Sequence, residues 1–60
     1  MDSYPLDRVR RLLRLSIQVA ANHRADQMVY PSPENAERME RSMKVVKAYE
    51  SELRRRGEIA

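Results

Sequence analysis

Ser32-Pro33-Glu34-Asn35 opens, and Leu53-Arg54-Arg55-Arg56-Gly57 closes, a stretch that reads as one long helix. Ser32 can offer its hydroxyl to the free N–H groups of a first turn. Pro33 follows at the first helical position, where the missing N–H costs nothing. Glu34 puts an anion at the positive end of the helix dipole. A full capping box would want Glu or Gln at Asn35, so that signature is partial. At the other end stands Gly57, the only glycine in the chain. It comes just past the last periodic residue. Three arginines precede it, where cations suit the negative end of the dipole. The expected helix covers 33–56.

Between these signals Ala36, Met39, Met43, Val46 and Leu53 recur at helical spacing and share one face. Ser42 and Tyr49 border it. Glu50 interrupts it where another apolar residue was due. Two readings fit Glu50: a semi-buried charge that fixes register by pairing with Arg8 or a second chain, or a group at a wet bundle end paired with Arg54. Acid precedes base by four in Glu34–Arg38, Glu37–Arg41, Glu40–Lys44, Glu50–Arg54 and Glu52–Arg56. Each pair contributes roughly 0.2–0.5 kcal/mol to a helix. Much of the positive charge of this helix thus has an internal partner.

Upstream, residues 5–25 read as a first helix, with Pro5 in its first turn, Asp2 or Ser3 as cap and Asp7 near its positive end. Leu6, Val9, Leu13, Ile17 and Ala20 form one stripe, and Leu12, Leu15 and Val19 form a second beside it. Together they span more than half the circumference, whereas an ordinary amphipathic stripe is about 100° wide. One neighbouring helix cannot cover such a face, which points to self-association or a protein partner. The remaining face carries Arg10, Arg11, Arg14, Gln18 and Asn22.

Residues 26–31 read as the connection, of a length suited to neighbouring helices in a bundle. Tyr30 and Ser32 each precede a proline and are pushed toward extended backbone. Met28, Val29 and Tyr30 are apolar for a turn. They are expected to cap the bundle end, with a hydrophobic hook for a partner as the functional alternative. A turn centred near residue 29 sets Met39 level with Val19, Met43 near Leu15, Val46 near Leu12 and Glu50 near Arg8.

Sixty residues make one domain at most. A chain this short buries only about 60% of its unfolded surface, so association is the natural route to stability. There is no cysteine, hence no disulfide and no thiolate metal site. No apolar run approaches the ~20 residues of a membrane span. An acidic start and an apolar run broken by arginines do not suit a secretory signal, so a cytoplasmic location is expected. The net charge of +3 is mild, and arginine far outnumbers lysine, which favours bidentate contacts to carboxylate or phosphate.

Few residues carry chemistry. His23 is the only histidine. It reads first as a partly buried or exposed side chain near the turn. General-base work would need a positioned partner and a pocket, and neither a nucleophile–base pair nor a metal or cofactor constellation can be assembled here. Arg10, Arg11 and Arg14 share one side, with Asp7 as their only nearby acid in sequence. They form a candidate contact for nucleic-acid phosphates or an acidic partner, set against the ordinary reading of a solvated polar face. Zinc-finger spacing, phosphate loops and interleaved aromatics are all missing. Lying on an anionic membrane is a weaker use of the first helix than packing. Met39 and Met43 read as core filler that can also adapt to a partner.

The expected fold is all-α, an antiparallel two-helix hairpin pairing into a homodimeric four-helix bundle. That architecture is similar to small plasmid- and phage-type regulators built from paired helical hairpins, a likeness that assigns no residue a role. The expected function is a non-enzymatic interaction module, an adaptor, inhibitor or regulatory subunit. It would dock a protein through Leu12, Leu15, Val19, Met28, Val29 and Tyr30. The alternative is a nucleic-acid-binding regulator using Arg10, Arg11 and Arg14.

Overall fold

The computed structural model describes residues 3–59. They form two α-helices, α1 Leu6–Val29 and α2 Pro33–Arg55, which pack against each other. Among the described residues there is no strand. The hairpin measures 38 × 21 × 14 Å. Its thinnest dimension is close to one helix diameter of about 10–12 Å, so the helices lie in a single layer.

The signals around α2 act as read. Ser32 has extended backbone, and its hydroxyl accepts from the Asn35 N–H at 3.1 Å. Pro33 occupies the first turn and Glu34 supplies the acid there. At the far end Gly57 takes φ +77°, a left-handed conformation open to glycine at no steric cost. The Gly57 N–H donates to the Arg54 carbonyl and the Glu58 N–H to the Leu53 carbonyl, each at 2.9 Å. This is the Schellman arrangement, which satisfies carbonyls the helix leaves unpaired. A Cβ added to Gly57 would meet nothing within 4 Å. Gly57→Ala is therefore expected to cost only the backbone strain, about 1–2 kcal/mol. A urea melt at fixed protein concentration reads it, and an unchanged midpoint would contradict it.

α1 departs from expectation at both ends. Pro5 lies outside the helix as its N-cap, because its ψ of 150° is extended although its φ suits a helix. The Pro5 carbonyl accepts from the N–H groups of Arg8 and Val9 at 3.0 and 3.1 Å. No side chain caps this end, so Ser3 does not serve as one; Asp2 lies outside the described residues. At the other end the helix continues through Val29, four residues beyond Ala25. Asp26-Gln27-Met28-Val29 contains no glycine or proline to stop it. The first breaker is Pro31, which drives Tyr30 out of the helical region.

The connection is therefore only Tyr30, Pro31 and Ser32. Side chains stitch its backbone. Ser32 N–H donates to Gln27 Oε1 at 3.2 Å, and Asn35 Nδ2 donates to the Tyr30 carbonyl at 2.8 Å. A turn centred on Pro31 moves the register by about one helical turn. Facing residues have numbers adding to about 62 rather than about 58. Met43 accordingly sits with Ile17 and Ala20, not Leu15, and Met39 with Ala20, Ala21 and Arg24, not Val19.

Loss of solvent marks the seam. On α1 the covered residues include Leu6, Val9, Leu13, Ser16, Ala20, His23 and Gln27, at alternating steps of three and four. On α2 they include Asn35, Met39, Ser42, Val46, Tyr49 and Leu53 at the same spacing. This is the spacing of side chains meshing between two helices. The seam is apolar toward the chain termini and, Met39 apart, small or polar toward the turn. Only Val9, at 0% exposure, and Leu53, at 3%, are buried apolar side chains among the described residues. The core thus sits at the open end of the hairpin.

Candidate functional site

A polar clasp closes the open end beside Val9 and Leu53. Glu52 is buried, and its carboxylate accepts from Arg55 Nε at 3.1 Å and Nη2 at 2.5 Å, and from Arg56 Nε at 2.7 Å. Arg56 Nη1 also donates to the Tyr4 carbonyl at 2.8 Å, tying the start of the chain to the end of α2. Arg8 lies over the Tyr4 ring, 4.3 Å from its centroid. Arg8 is therefore engaged with Tyr4 and not with Glu50, one of the partners that the sequence offered for that carboxylate.

The hydrogen bonds from Arg55, then those from Arg56, hold the Glu52 carboxyl at about 2, well below its ordinary 4.5. Folding lowers this pKa. The clasp therefore contributes fully above pH 4.5 and loses its contribution as pH falls toward about 2. Between those limits wild-type helicity should fall more steeply with acid than that of Glu52→Gln, as followed by circular dichroism. Parallel acid curves for the two proteins would show that Glu52 does not carry the effect.

The two large apolar surfaces lie on the flanks of the seam. Ile17 and Val19 point to opposite sides of α1, being 200° apart at 100° per residue, and so do Met43 and Val45 on α2. On the first flank Ile17 and Ala20 meet Met43, Val46, Lys47 and Glu50 in an open, mainly apolar groove of about 220 Å³. Arg10, Leu13 and Arg14 adjoin it through the shared Ile17. The opposite flank carries Leu12, Leu15 and Val19 of α1 with Val45 and Tyr49 of α2. Leu12 is partly covered, while Leu15 and Val19 remain 49% and 47% exposed. Ile17, Met43 and Val45 stand out to a similar degree.

Met28, Val29 and Tyr30 do not cover the end of the hairpin. Met28 and Val29 belong to the last turn of α1, and Met28 and Tyr30 are each 75% exposed. They form an exposed apolar tip at the turn end of the hairpin.

The three arginines of the candidate electrostatic face are not equivalent. Arg10 pairs with Glu58 at 2.7 Å. Glu58 reaches it because Gly57 turns the chain back across α1, so Asp7 is not the only acid near the cluster. Arg11 and Arg14 are exposed and make no ion pair among the described residues. His23 is partly covered in the seam.

Among the described residues no three His, Cys, Asp or Glu side chains come together in a group able to hold a metal ion. No helix of these residues is long and apolar enough to cross a membrane. Sequence reasoning missed Val45, the part that Ser16, Gln27 and Asn35 take in the seam, and the Tyr4–Arg56 link of the clasp, whereas the Glu52–Arg56 pair was among those read four apart. The alternating three-and-four spacing was present for the seam. The Tyr4–Arg56 link, which spans nearly the whole chain, had no local signal.

No protein-family model, curated protein or solved structure matches this chain.

Proposed function

We propose that the protein is a small non-enzymatic interaction module, an adaptor, inhibitor or regulatory subunit. It works as a homodimeric four-helix bundle and docks a partner protein through the flank of Leu12, Leu15 and Val19. The exposed tip of Met28, Val29 and Tyr30 adds to the apolar surface offered to that partner.

The observation behind this reading is the surface left uncovered. The accessible area is 4750 Å². A compact monomer of 7.1 kDa exposes about 4100 Å² by the usual scaling, so the excess is about 650 Å². A standard protein interface buries about 800 Å² on each partner. The excess is of that size, and bulky aliphatic side chains on both flanks contribute to it.

Capture of the tagged protein from its host lysate, with and without nuclease, tests the function. A protein that stays bound after nuclease, and stays bound when Arg10, Arg11 and Arg14 are replaced by glutamine, is the expected result. Recovery of nucleic acid, lost in the arginine variant, would replace this reading with a nucleic-acid-binding regulator.

A further inference from the structure

The flank of Ile17 and Met43 carries an electrostatic demand that the chain does not meet by itself. Glu50 is partly buried at the wall of the apolar groove, and among the described residues no cation pairs with it. This carboxylate lines the open groove with Ile17, Met43, Val46 and Lys47, and a chain that covers the groove must supply it with a partner, because a carboxylate buried unpaired is unfavourable. Across the same flank Arg14 adjoins Ile17, exposed and with no ion pair among the described residues. Arg10, its neighbour there, is already held by Glu58.

We infer that a second copy of this chain seats on this flank. The two-fold axis runs along the helices, so that α2 of each protomer lies over α1 of the other. Glu50 then pairs with Arg14 of the second copy, twice by symmetry. This rests on the proposed homodimer and names the face that makes it.

Two considerations select this arrangement. Rotation about an axis along the helices keeps every residue at its own level. The Ile17–Met43 groove therefore falls on its own image and is covered whole. The same rotation brings the edge of α2 that carries Glu50 and Lys47 to the Arg14 edge of α1, where Glu50 is the acid within reach of Arg14. An axis across the helices that paired Glu50 with Lys47 would instead bring Met43 to the level of Arg54 and slide the grooves apart. The flank of Leu15 and Val19 stays open on the outside of the dimer for a partner.

Charge reversal tests it. Glu50→Arg alone sets like charges against Arg14, and Arg14→Glu alone sets them against Glu50. Each variant is expected to self-associate more weakly by on the order of tenfold or more. Mixing the two in equal amounts rejoins opposite charges at both contacts, so the mixture should recover the wild-type dimer mass in sedimentation equilibrium. A variant that unfolds alone and regains helicity on mixing supports the pairing equally. A mixture no more associated than its components would overturn it. So would single variants as dimeric as wild type; if Leu15→Glu with Val19→Glu then falls to one chain, self-association stands but uses the other flank. A wild-type protein of single-chain mass at all concentrations would overturn the homodimer itself.

Discussion

Leu53→Ala is expected to remove roughly half of the folding stability of the chain. Leu53 and Val9 are the buried apolar pair at the open end of the hairpin, and no larger core stands behind them among the described residues. Truncating a buried leucine to alanine costs about 2–5 kcal/mol. At roughly 0.05–0.15 kcal/mol per residue, a sixty-residue chain holds only about 3–9 kcal/mol in all. Val45→Ala is the control. That side chain is 45% exposed, and its truncation should cost less than about 0.5 kcal/mol. Urea melts at one protein concentration compare the two, since any association adds to stability by mass action. Equal midpoints would show that the fold is not held at its open end.

Leu15→Glu combined with Val19→Glu is expected to abolish capture of the partner protein while the helices persist. Both side chains stand about half exposed on α1, and neither belongs to the seam. Exchanging them for glutamate therefore removes little packing within the chain. Two carboxylates buried against an apolar partner without cations would cost several kcal/mol, enough to lower affinity by a factor of a hundred or more at about 1.4 kcal/mol per tenfold. Circular dichroism checks that helicity is kept, and capture reads the loss. Undiminished capture would remove this flank from the function and leave the tip at Met28, Val29 and Tyr30 as the apolar surface to test.

The hairpin itself was legible because its signals are local. Ser32, Pro33 and Gly57 act through their own backbone conformation, and the structure places them where their chemistry predicts. The end of α1 was misjudged because Asp26 to Val29 were read as part of the connection, although Pro31 is the first residue that forces the chain out of a helix. That error of four residues moved the register by a turn and with it every expected cross-helix pair. Hydrophobicity also misplaced the centre of the α1 face. The seam uses Ser16, His23 and Gln27, while Leu15, Ile17 and Val19 stand on its flanks. Aliphatic side chains were assumed to face the nearest helix, whereas spacing favoured smaller polar ones. The excess width of the apolar face was nevertheless readable, since it follows from counting apolar positions around the helix. The clasp of Tyr4, Arg56 and Glu52 was not, because only one of its links lies within a helical turn.

Sedimentation equilibrium of the wild-type protein, from micromolar to millimolar and alongside circular dichroism, bears most directly on a hairpin whose flanks await other chains. The mass should rise from toward 7.1 kDa to twice that value, with helicity rising in step. A fully helical protein holding single-chain mass across the whole range would contradict it, because the hairpin would then be stable with both apolar flanks open to water.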